Sequence, residues 1–249
     1  MSLELEFAAS LVKDSEGISP DNKKWWLTLK GEERQAKIRG MFPLPAQIQE
    51  VSALIRPGNM SWQDTHLVVG RLCGLEEAMA SLISNSAPVP DGIMPLWIPE
   101  GLTANSLMGA HAGIAGTDGK SLKVETYGIV DFDATYQPYP SDRRSSQTLL
   151  LKDEQEAEHI WGRKSVDWVL AHNKNHHGLM LHQRLLAGLV YYLVKGQHLD
   201  QTYWTDCLGS RTTSGDVPSV SFHYGRVRVG CYRAGHGYSD VRSRSDGVS

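Results

Sequence analysis

Apolar positions at helical spacing dominate the first third of the chain. Leu3, Phe7, Leu11 and Val12 predict a first helix that Gly17 stops. Ser19-Pro20-Asp21 offers an N-cap and a proline at the first helical position, opening a second segment that carries Trp25, Trp26 and Leu29. Pro43 and Pro45 precede a third, with Ile48, Val51, Leu54 and Ile55, closed by the turn Pro57-Gly58-Asn59. The fullest period begins at Ser61-x-x-Asp64, a capping-box variant, and runs through Trp62, Val69, Leu72, Leu75, Met79, Leu82 and Ile83. Nothing before residue 86 alternates as a strand does, so residues 1–86 are expected to form a helical bundle region.

The texture then changes. Pro88, Pro90, Pro95 and Pro99 exclude a regular helix, and residues 87–101 are expected to be a proline-rich connector in which Leu96-Trp97-Ile98 is extended or plugs a neighbouring core. Residues 102–233 predict a mixed region. Its small-residue stretch with Asp118-Gly119 favours a hairpin, with a helix from Ala104 to Ala115 as the alternative. Leu122, Val124 and Thr126 alternate with Lys123 and Glu125 as in a half-buried strand, and Ile129 to Tyr136 predicts another. Two long helices are expected, Asp153–His172 with acids crowding its first turns and Leu179–Lys195 stopped by Gly196. Val217 to Tyr232 predicts a closing hairpin around Tyr224-Gly225, and residues 234–249 a mobile basic tail. The fold class expected is α+β, a helical N-terminal region followed by hairpins and two long helices.

Composition narrows the picture. With 41% hydrophobic and 21% charged residues in 249, the chain has the balance of a folded protein. Cys73, Cys207 and Cys231 are odd in number and far apart, which predicts neither a disulfide framework nor a CxxC-type zinc site and suits a reducing compartment. The acidic start Met1-Ser2-Leu3-Glu4-Leu5-Glu6 does not resemble a secretory or organellar leader. The most apolar run, Leu185 to Val194, is half the ~20 residues that a membrane span needs. The expectation is a soluble, cytoplasmic protein with no membrane span.

Candidate chemistry collects after residue 100. His172, His176, His177 and His182 fall within eleven residues, and imidazole is the commonest transition-metal ligand. Asn173, Asn175 and Gly178 interrupt the helix that an HxxxH zinc site needs, and solvated or capping side chains explain the cluster equally. Asp131 and Asp133 on a strand would share a face and suit a hard cation, or simply flank a buried Phe132. Gly109, Gly113 and Gly116 are not spaced as a dinucleotide fingerprint, and neither GxxxxGK[ST] nor GxSxG occurs. No cofactor is indicated by any motif.

From residue 211 on, six arginines stand against three aspartates, and no lysine occurs. Arg226, Arg228, Arg233, Arg242 and Arg244 interleave with His223, Tyr224, Tyr232 and Tyr238, and arginine forks with aromatic rings suit phosphates and bases. Seven tryptophans, with Trp25-Trp26 adjacent, add interface-type surface. The leading expectation is a non-catalytic structural or assembly protein that self-associates and contacts nucleic acid through its arginine-rich C-terminal region. The alternative is a metal-dependent hydrolase or nuclease using the histidine cluster with nearby carboxylates.

Overall fold

The computed structural model describes residues 55, 57–114, 122–127, 129, 131–140, 147–158, 162–172 and 178–244. The three helices expected before Pro57, the Asp118-Gly119 turn, His176 and His177 lie outside them. All described residues belong to the unit Ser52–Ser249. The fold is α+β, with six helices and nine strands among the described residues.

Helix α1, Trp62–Leu72, starts where its cap predicts, because the Ser61 hydroxyl oxygen accepts the Asp64 N–H at 3.0 Å. The helix expected to run on to Ile83 breaks at Gly74, whose φ of 72° lets the chain reverse into α2, Glu76–Ser84. The two pack tightly at Gly70, where a Cβ would stand 2.9 Å from the Cβ of Met79. Strand β1, Ile93–Ile98, lies inside the stretch expected to be a connector, and it is nearly all buried. It pairs antiparallel with β4, Gln147–Lys152, from Ile93 opposite Lys152 to Ile98 opposite Gln147. Among the described residues this sheet has two strands, so β1 is an edge strand, where the missing N–H of Pro95 is tolerated. Trp97 anchors it: its backbone N–H donates to His66 Nε2 at 3.3 Å and its indole N–H to Ser86 Oγ at 2.6 Å.

Helix α3, Ala104–Gly113, replaces the preferred hairpin, and a reciprocal Thr103–Ser106 capping box explains its start. Strand β2, Lys123–Glu125, pairs parallel with the distant residues Arg226 to Arg228. The strand expected over Ile129–Tyr136 is instead a single turn, α4, Phe132–Thr135, followed by β3, Gln137–Pro138. The long helix expected from Asp153 shrinks to α5, Val166–His172. Upstream acids bind loops rather than a helix end. The Glu156 carboxylate accepts the N–H groups of Gln201, Thr202 and Tyr203, and Lys152 pairs with Glu158 at 3.1 Å.

Helix α6, Leu181–Lys195, is the central element, and Gly196 caps it at φ 69° as expected. It is buried from Gln183 to Leu193 and touches α1, α3, β1 and β7, Val217–His223. Its single inward charge, Arg184, meets Asp200 through Nε at 2.8 Å and Nη2 at 2.6 Å. Arg244 reaches the other Asp200 oxygen at 2.8 Å and donates to the carbonyls of Glu154 and Gln155. Burial alone would raise the Asp200 pKa, but Arg244 and Arg184 hold it below the usual carboxylate value.

Five strands form the second layer in the order β2-β8-β7-β5-β9. Here β5 is Trp204–Asp206, β8 Arg226–Tyr232 and β9 Val241–Ser243, while β6, Ser210–Arg211, pairs with β3 outside this sheet. The β7–β8 hairpin turns at Tyr224-Gly225 as expected, pairing Val217 with Tyr232 and His223 with Arg226. Up to Arg244 the stretch expected to be a mobile tail is folded in, since β9 pairs parallel with β5. Among the described residues no helix is long and apolar enough to cross a membrane.

Candidate functional site

Strand alternation gives the five-stranded sheet two chemically opposite faces. Val220 and Phe222 on β7, with Val227 on β8, line a small cavity against Arg184, Leu185 and Gly188 of α6. The alternate positions, His223 on β7 with Arg226, Arg228, Gly230 and Tyr232 on β8, lie toward the outer face, in register with Lys123 and Glu125 of β2, while Ser219 and Ser221 between them are buried and Ser221 also borders the cavity. Gly230 shapes this face: a Cβ there would touch the Trp204 ring at 3.6 Å and the Tyr127 ring at 3.8 Å. The Trp204 ring edge stands in the space that Gly230 leaves.

Rings continue outward from Trp204. Its centroid is 6.0 Å from His223 and 6.0 Å from Tyr232, Tyr232 is 4.6 Å from Tyr238, and Tyr238 is 6.2 Å from His236. At the other end His223 stands 6.4 Å from Tyr224, which is 92% exposed at the hairpin tip. Arg228 is wedged among the rings, 5.3 Å from the Tyr127 centroid and 5.5 Å from that of Trp204, with Nε 2.9 Å from Glu125 and Nη2 donating to the Tyr127 hydroxyl. Each such cation–π contact contributes ~0.5–1 kcal/mol at an exposed site, so the arrangement fixes the guanidinium more by number than by strength. Arg226 and Lys123 pair across β8 and β2 and are exposed.

The sequence-predicted arginines thus divide. Arg226 and Arg228 share the outer face, and Arg233 is exposed just beyond β8. Arg242 packs over Tyr203 with its guanidinium carbon 3.3 Å from the ring centroid and donates to the Ala157 carbonyl. Arg244 is 4% exposed and bound to Asp200, so it is not available to a surface ligand.

The described residues among those considered for metal have other tasks, and His176 and His177 lie outside the described residues. His172 is exposed, stacked at 4.2 Å on Trp168 with Nδ1 at 2.9 Å from the Trp168 carbonyl, and His182 is half-buried on α6. Asp131 accepts the Ala134 N–H and the Asn105 side-chain amide, capping α4. Asp133 accepts the N–H groups of Ala104 and Asn105, capping α3. Among the described residues, no three His, Cys, Asp or Glu side chains come together as a metal-holding group.

Sequence reasoning missed Trp204 and Tyr127, whose partners lie across strands and leave no local motif. It also missed three buried titrating groups. His111 donates from Nε2 to the Leu185 carbonyl at 3.1 Å, and its buried Nδ1 has no partner among the described residues. His198 is stacked between Tyr192 and Phe222 at 4.1 and 3.5 Å. Burial lowers His111 to about 4, and burial with the nearby His111 and Arg184 lowers His198 to about 3. Both rings line the cavity of about 10 Å³ beneath the sheet, room for about one water. On the outer side, burial pushes Asp206 up to about 7 although the Ser219 hydroxyl donates to it.

Comparison with family models, curated proteins and solved structures finds no match to this chain.

Proposed function

We propose that this chain is a non-catalytic binding protein that contacts nucleic acid through the outer face of its five-stranded sheet. The observation that carries this reading is the exposed Arg226–Lys123 pair beside Arg228, which lies between the Tyr127 and Trp204 rings and is paired with Glu125. An arginine fork supported by aromatic rings suits phosphate next to a base, and the surrounding rings supply stacking surface. The face is exposed at Lys123, Tyr127, Tyr224 and Arg226, whereas the cavity under the sheet holds about one water, far below the ~300 Å³ at which small-molecule sites begin. That contrast favours binding over turnover. The metal-dependent hydrolase reading has no comparable support among the described residues, because Asp131 and Asp133 are helix caps.

The test is fluorescence anisotropy with labelled oligonucleotides over a salt series. Binding should weaken as salt rises, and R226E/R228E should abolish it and flatten the salt slope while circular dichroism stays unchanged. Binding that is absent at low salt, or indifferent to that double replacement, overturns the proposal.

A further inference from the structure

We infer that the nucleic acid this face takes is single-stranded, with unpaired bases stacked on the exposed rings and the intervening phosphates on Arg226 and Arg228. The inference rests on the nucleic-acid proposal above and narrows it to a substrate class.

Two residues of the face are displayed at a conformational cost. Tyr224 has φ 52° and Tyr127 φ 49°, the left-handed region that bulky side chains avoid, yet they are 92% and 56% exposed. Tyr224-Gly225 occupies a two-residue hairpin turn whose first position strongly favours Asn, Asp or Gly. An outlier of this kind costs on the order of 1–3 kcal/mol and points to a task for the side chain. Neither ring is buried in a core that would explain the cost. Both instead extend the ring file, Tyr224 beyond His223 and Tyr127 beside Arg228.

The geometry also separates single strands from duplexes. Trp204 is half-buried, its ring edge 3.6 Å from where a Gly230 Cβ would stand, so it does not project as a wedge toward a groove. Paired bases show only their edges to a protein, while unpaired bases offer their planes, and stacking on planes is tolerant of sequence. Arg226 and Arg228 are two residues apart on one strand face, about 7 Å by strand rise, a spacing suited to successive phosphates of an extended chain. Four cations, Lys123, Arg226, Arg228 and Arg233, outnumber the three carboxylates Glu125, Asp206 and Asp240 on and around this face. That excess favours an anionic polymer over a neutral one.

The experiment compares a single-stranded oligonucleotide with its duplex and with a neutral oligosaccharide, reading anisotropy and tryptophan quenching in the whole chain. The single strand should bind at least about tenfold tighter than the duplex at equal salt and quench the tryptophans. Tyr224→Asn should weaken single-strand binding roughly fivefold or more, the scale of one lost stacked base, while the thermal midpoint stays level or rises. A chain that binds both nucleic acids equally, with Tyr224→Asn unchanged, overturns this inference and leaves the nucleic-acid proposal standing. Quenching by the oligosaccharide alone, or binding of neither nucleic acid, overturns both.

Discussion

Gly188 and Arg184 occupy one space: a Cβ at position 188 would stand 2.6 Å from Arg184 Nη1. A glycine in the middle of a fifteen-residue helix ordinarily weakens it by ~1 kcal/mol relative to alanine. Here the missing side chain is the socket into which the guanidinium folds back toward Asp200. Gly188→Ala should therefore destabilise the protein in spite of the better helix propensity, by about 2 kcal/mol if Arg184 has to shift. Urea unfolding checks the sign, and a stabilised variant would show that Arg184 has slack.

The Arg184–Asp200–Arg244 group predicts an order of losses. Asp200→Asn leaves two buried guanidinium groups facing each other, whereas Arg244→Met leaves a balanced pair. Removing one partner of a buried ion pair costs about 3–5 kcal/mol, so Asp200→Asn should lie at the upper end and Arg244→Met below it. Equal midpoints in denaturant would mean that the second arginine contributes no net charge effect.

Acid should weaken the fold well above the range of ordinary carboxylates. Burial holds His66 and His111 at about 4 and His198 at about 3, against 6.5 for the free imidazole. In that window the unfolded chain binds protons first, so the contribution of each is whole above pH 6.5 and lost as pH falls. Asp206 has the opposite sign, because burial raises it from 3.8 to about 7 and its contribution is lost as pH rises through that value. Three groups against one leave stability falling with acid between pH 6.5 and 4 at a slope of about two protons. A urea midpoint that stays flat across that interval contradicts the assignment, and Asp206→Asn should gain stability at pH 8.

Asp131 and Asp133 should behave as caps. Asp131→Ala and Asp133→Ala should each cost about 1 kcal/mol, the usual value of a lost N-cap. Added magnesium, manganese or zinc should leave the thermal midpoint of the parent protein unchanged, and a metal-dependent rise abolished by either replacement would restore the metal reading.

Much of the fold was legible where local chemistry and tertiary contacts agree. Ser61 capping α1, Gly196 ending α6 and the Tyr224-Gly225 turn are such cases, since each depends on neighbours a few residues away. The acids from Asp153 to Glu158 misled because their partners are distant: Glu156 serves a loop near residue 202, and Glu158 bridges to Ser243. Leu149 and Leu151 carry period two in a stretch that the sequence reading assigns to no element, and of β1, the strand that pairs with it, only Leu96-Trp97-Ile98 reads as extended among the prolines. The candidate face was half legible. Arg226, Arg228, His223 and Tyr224 stand close in sequence, while Trp204 and Tyr127 reach them only through sheet register and the glycine at 230.

Arg244 also sets an order of events during synthesis. Arg184 and Asp200 are made early enough to find each other, but the group that completes the pocket comes more than forty positions later. A nascent chain that has not yet gained position 244 holds Asp200 with one arginine and lacks β9 along β5. The β5 edge of its sheet is then unpaired, the kind of open edge that can pair with another chain. Until Arg244 is in place the buried carboxylate of Asp200 lacks its second cation and the sheet lacks its strand beside β5.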